Sequence, residues 1–119
     1  MKSVHGKIKG ASQYRGWITG AFYPKDLLNY DKNLEIKVEY FAESTSAPAH
    51  FHKQRKSWVI VLEGGIKMKI EDKLVVVKKG EYLIFKPKVK EELVSVDVGT
   101  VLVSVHAPSS GKSDKVLTN

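Results

Sequence analysis

The chain of 119 residues contains no cysteine, which excludes disulfide staples, thiolate metal centres and cysteine nucleophiles. Long apolar runs are missing as well. None approaches the roughly 20 residues that a membrane-spanning helix needs, and the opening Met1-Lys2-Ser3-Val4-His5-Gly6-Lys7 lacks the apolar stretch of a secretory leader. A cytoplasmic protein without a membrane partner is the expectation. No apolar pattern of helical period runs far enough for a long helix, nothing repeats at solenoid spacing, and no segment is low in complexity. Gly-x-Gly-x-x-Gly and phosphate-binding loops are absent, and Ser109-Ser110-Gly111-Lys112-Ser113 copies only the end of one. There is no nucleophile elbow, and a triad drawn from Ser57 with His50 or His52 lacks its orienting acid.

Basic residues, by contrast, are plentiful: 20 Lys and Arg against 13 Asp and Glu give a formal charge of +7. Such a surface suits anionic partners, among them small acids, nucleic acid and membranes. Lys67 and Lys69 alternate with Ile66, Met68 and Ile70, which is the pattern of a half-buried strand with a wet outer face. Lys53, Arg55 and Lys56 follow the pair His50 and His52, while Lys86, Lys88 and Lys90 surround Pro87, so both groups flank a candidate pocket and can attract a carboxylate or phosphate. Apart from Tyr14-Arg15-Gly16-Trp17, aromatics do not interleave with basic residues as they do in a single-strand-binding platform. A nucleic-acid-binding barrel is the third choice of function, and steep salt dependence would be its mark.

Turn chemistry punctuates the chain. Trp17 to Phe22 reads as a first strand, Pro24 to Tyr30 as a loop or single helical turn, and Leu34 to Tyr40 as a strand with Leu34, Ile36, Val38 and Tyr40 on its buried face. After a break at Ser44 to Pro48 come short apolar segments at Trp58 to Leu62, Ile66 to Ile70, Leu74 to Val77, Tyr82 to Phe85, Leu93 to Val96 and Thr100 to Val105. Glu63-Gly64-Gly65, Glu71-Asp72-Lys73, Lys78 to Glu81 and Asp97-Val98-Gly99 connect them. Seven or more strands with such short links define an all-β antiparallel sandwich or barrel. Residues 1–107 form this single domain, and 108–119 turn polar and read as a tail with little packing of its own.

Within that frame His50-Phe51-His52 is the chemical signal. Side chains two apart on a strand leave the same face about 7 Å apart, near enough for two imidazoles to converge on one ion. Two ligands are half of a tetrahedral site, and no third stands nearby in the sequence. His106, at the end of the last strand, is a candidate for the pocket, whereas His5 reads as exposed.

Pro48 to His52, Trp58 to Gly65 and Gly80-Glu81-Tyr82-Leu83-Ile84-Phe85-Lys86-Pro87 together resemble the two motifs of the cupins, His-x-His followed by a glutamate and a glycine turn, then Gly-x5-Pro. The resemblance covers about half of the chain directly. It implies a jelly-roll β-barrel with a metal held by three His and one Glu. The flanking Gly16-Trp17-x-x-Gly20-x-Phe22 and Pro108-Ser109 with Asp114-Lys115 are similar to small single-domain cupins without an assigned activity. Several positions depart from the pattern. The motif glutamate falls at Lys56 or Ser57, the third histidine at Glu92, and the glycine two after Pro87 is Val89.

The expected site is therefore a pocket with His50, His52, Lys56, Ser57, Trp58 and His106 as ligand contacts, and His50, His52 and Glu92 as the residues for a weakly bound divalent ion (zinc, iron, manganese or nickel), if any. A small anionic or sugar-like ligand is the first choice of function, and a metal-dependent dioxygenase, decarboxylase or sugar isomerase the second. Exposed jelly-roll edges ask for cover, so Ile8 to Phe22 is expected to pair with a neighbouring subunit in a homodimer. Light scattering checks that expectation: a mass near twice the 13.3 kDa of one chain is expected, and a monomer at tens of micromolar would remove it.

Overall fold

The computed structural model describes residues 2–8, 16–110 and 114–118. Ten strands run through them: β1 (Trp17–Thr19), β2 (Glu35–Tyr40), β3 (Ala47–His52), β4 (Lys56–Glu63), β5 (Gly65–Ile70), β6 (Lys73–Lys78), β7 (Tyr82–Phe85), β8 (Glu91–Val96), β9 (Val101–Ala107) and β10 (Lys115–Leu117). They form two five-stranded antiparallel sheets, ordered β1-β2-β9-β4-β7 and β10-β3-β8-β5-β6. The sheets face each other as a jelly roll without closing into one continuous ladder. No described helix is long and apolar enough to cross a membrane. Residues 9–15, part of the segment expected to pair with a second subunit, lie outside the described residues.

Alternation explains the core. Val59, Val61, Phe85 and Leu102 point inward from the first sheet and meet Ile66, Met68, Val77 and Val96 from the second. Lys67 and Lys69 stay on the wet face, as their spacing predicts. At the turn between β4 and β5, Gly64 has φ +74°, a conformation that disfavours a side chain, and a Cβ there would strike Thr100. Thr100 is fully buried, and its hydroxyl accepts the Gly65 N–H and donates to the Gly65 carbonyl, each at 3.1 Å.

Strand β2 is turned over relative to its apolar pattern. Glu35, buried to 2% exposure, faces inward. Ile36, Val38 and Tyr40 instead join Val105, Val103 and Val101 on the outer face, next to Trp58, Ile60, Ile84 and Tyr82. The alternation is read correctly and its side inverted, because an apolar outer face carries the same period as an apolar inner one. The C-terminal stretch also does more than its polar composition suggests. Lys115, Val116 and Leu117 pair with His52, Phe51 and His50, so β10 becomes the edge strand beside the histidine pair.

Strand β8 contains the irregularity that matters most for the site. Its pairing with β5 shifts by one residue between Lys67 and Met68, leaving Val94 as an extra residue. Counting back from the inward Val96, strict alternation would turn Glu92 inward. The bulge reverses the phase, so Glu91 and Leu93 point in and Glu92 lies opposite Lys69 on the outer face.

Thr100→Val leaves a buried N–H and a buried carbonyl without their partner, and is expected to cost about 1–3 kcal/mol. Urea unfolding checks it, with Thr100→Ser expected to retain most of the stability.

Candidate metal and ligand site

One end of the interior is polar. Across β2, β9 and β4 the inward residues Glu35, His106 and Ser57 lie in one cross-strand row. From the opposite sheet β3 presents His50 and His52, and the loop after it presents Arg55. His50 and His52 are buried, with ring centroids 5.0 Å apart. Trp17 and His52 approach His106 at 5.8 Å and 6.4 Å between rings, closing the group from two sides.

Three groups here have the geometry of metal ligands. One donor atom each from His50, His52 and Glu91 lie within 4.8 Å of one another. Two imidazoles and a carboxylate form a donor set that suits a divalent transition metal. The His50 Nδ1–H donates to the Pro48 carbonyl at 2.9 Å, which leaves Nε2, 3.4 Å from Glu91 Oε1, as the nitrogen that faces the cluster. These residues fit an ion: His50 is oriented from behind, Glu91 supplies negative charge, and His52 brings a second buried imidazole within reach of both.

A second network lies against the first. Arg55 donates from Nη1 to Glu35 Oε1 at 2.6 Å and from Nη2 to His52 Nε2 at 2.9 Å. Glu35 also accepts from His106 Nδ1 and from the Ser109 hydroxyl, each at 3.0 Å. Burial alone raises the Glu35 pKa, but the His106 bond, the Arg55 charge and the Ser109 bond together hold it below the ordinary carboxylate value. Asp114, just before β10, accepts from the Gln54 N–H and the Ser110 hydroxyl and stands 3.7 Å from His52 Nδ1.

The two histidines are pushed in opposite directions. Contact with Glu91 raises the His50 pKa against the opposing effect of burial. Burial, and then the Arg55 charge, push His52 down to about 4. His52 is thus neutral and able to offer a lone pair at neutral pH.

The structure brings the candidates His50, His52, Ser57 and His106 near one another, and places three other candidates elsewhere. Glu92 is on the outer face, and Glu91 takes the position assigned to it. Lys56 and Trp58 alternate with the inward Ser57 and so point outward, with the Lys56 ammonium 5.0 Å over the Trp58 ring. Sequence reasoning did not single out Glu35, which is one of three charged residues, with Lys37 and Glu39, that alternate with apolar ones along β2 and so carries no signal of its own. Arg55 was noted only as one of a basic group, and Asp114 only as part of a tail motif.

A jelly roll with a histidine pair and a carboxylate at one end of its interior defines a two-sheet β domain with a candidate metal site. Residues 37–103 match the cupin domain family model, and the chain belongs to that family. No curated protein matches it. Among solved structures it is similar to KdgF from Halomonas sp., at 12% identity and a TM-score of 0.62, over 68% of this chain and 74% of that one. It is also similar to the oxalate decarboxylase OxdC of Bacillus subtilis, at 17% identity and TM-score 0.61, over 72% of this chain and 24% of that one. The Streptomyces nucleoside dehydratase Pac13 follows at 11% identity and TM-score 0.56, over 74% of this chain and 80% of that one. Identities this low establish the shared fold.

The depressed pKa of His52 has a definite sign for stability. The unfolded ring takes up a proton near 6.5 and the folded ring only near 4, so this contribution is complete above pH 6.5 and lost as pH falls toward 4. In metal-free buffer about 3 kcal/mol should disappear over that range, from 1.36 kcal/mol for each pH unit. His50 acts oppositely, stabilising at low pH and losing that effect as pH rises through its raised pKa. Urea unfolding across the range should show the fall, and His52→Gln should flatten it; an equal slope in the variant would contradict the assignment.

Proposed function

We propose that this cupin is a divalent-metal protein in which His50, His52 and Glu91 hold the ion and the polar end of the interior receives a small molecule rich in anionic oxygen. The observation that supports it is the third donor. With two imidazoles alone the site would be incomplete, and the inward turn of Glu91 supplies a carboxylate where the motif glutamate is missing at Lys56 or Ser57. A bound ion would polarise an oxygen of the ligand, which is the chemistry of metal-dependent enzymes.

The chain's own residues divide the remaining work. His50 is held by the Pro48 carbonyl, so its Nε2 needs no reorientation. His106, tied through Nδ1 to Glu35, keeps its other nitrogen available for a proton transfer, and Arg55 offers guanidinium N–H groups to an anion. Trp17 walls this end beside His106. One observation favours the alternative of a metal-free pocket for a small acid: the nearest positive charge to His52 belongs to the protein itself, on Arg55.

Metal analysis of protein purified without an affinity tag separates the two readings. About one equivalent of a divalent metal per chain is expected, lost in His50→Ala, His52→Ala and Glu91→Ala, with affinity down by at least about 10–100-fold. Glu92→Gln should leave it in place. Metal-free protein that also takes up none on titration would favour the metal-free pocket.

A further inference from the structure

We propose that Arg55 and the divalent ion compete for the same lone pair, that of His52 Nε2, and that a carboxylate ligand settles the competition by taking the guanidinium N–H that the ion displaces. This rests on the metal reading above and names the ligand class and its coupling to the ion.

The competition follows from what each group can do. Arginine has donors only, so the 2.9 Å contact between Arg55 Nη2 and His52 Nε2 requires the ring nitrogen to accept. A neutral imidazole has one acceptor nitrogen. The His52 proton therefore sits on Nδ1, which is buried, makes no hydrogen bond and faces Asp114 Oδ2 at 3.7 Å. With His50 Nε2 and Glu91 already turned toward the cluster, two of the three ligands are ready and one is occupied. An ion bound through Nε2 gains His52 only when Nη2 leaves it.

Arg55 need not leave altogether. Its Nη1 remains on Glu35 at 2.6 Å, and Glu35 is in turn fixed by His106 and Ser109. The guanidinium can pivot about that anchor, presenting its freed N–H beside the place the ion takes. Three protein ligands would leave positions on the ion open, and an anion that joins the ion to the guanidinium would use one of them while replacing the hydrogen bond that Arg55 has lost. A small carboxylate meets the requirement, with one oxygen on the ion and the other on the planar fork of Arg55. Carboxylate and ion then tighten each other reciprocally, and each binds less well alone.

Calorimetric titration of the full chain with nickel(II), with and without acetate, tests this. Arg55→Lys keeps the charge and the partner for Glu35, but a single ammonium drawn to Glu35 releases His52. It should bind nickel about tenfold more tightly than the unaltered protein, within the usual range of site coupling. The double variant Glu35→Gln/Arg55→Gln, which leaves no buried carboxylate unpaired, should also bind more tightly. Acetate should tighten nickel in the unaltered protein, and do so far less in the double variant. Nitrogen-15 spectra of the metal-free protein should show His52 protonated on Nδ1. Equal nickel affinity in Arg55→Lys and the unaltered protein would overturn the competition while leaving the metal site standing. Equal tightening by acetate in the double variant would overturn the carboxylate role. No nickel binding in any of the three would defeat the competition and the metal reading together.

Discussion

A carboxylate stays ionised inside a protein only if its neighbours replace the water it has lost. Glu35 sets that condition here. It is buried in the inner row of the first sheet, and its partners come from distant parts of the chain: Arg55 before β4, His106 at the end of β9, and Ser109 beyond it. Holding one charge thus ties β2, the connection from β3 to β4 between the two sheets, and the end of β9 to a single point. The polar end of the molecule is organised around this group, while the apolar end is organised around Val61, Ile66 and Val96. A site built in this way keeps its side chains fixed before any ligand arrives.

Most of the strands were legible because each is short, alternating and bounded by turn residues; Tyr82–Phe85 agrees residue for residue. The missed strand, Lys115–Leu117, has only three residues and leans on main-chain bonds to β3, so its composition says little about it. The inside of β2 was illegible for another reason. An alternating strand shows which residues share a face, and the identity of the inner face depends on partners in the other sheet. The apolar rows along Ile36, Val105 and Trp58 look like core and lie outside.

The site was legible in its histidines and not in its charges. His50 and His52 lie two apart on one strand, so nothing beyond local geometry was needed to pair them. Glu91, Glu35 and Asp114 reach the same region from β8, β2 and the C-terminal segment, across sequence separations that spacing rules do not span. Lys56 and Trp58 fail for the complementary reason: motif spacing placed them near the pocket, whereas the parity of β4 turns them away from it.

The extra residue at Val94 acts as a phase shifter. It decides which of two adjacent, chemically identical side chains belongs to the interior, although neither side chain itself is altered. The acid at the site is therefore encoded partly in chain length. Removing one residue from β8 could exchange Glu91 for Glu92 without any substitution, so small deletions give this fold a route to new chemistry that residue-by-residue comparison of motifs would overlook.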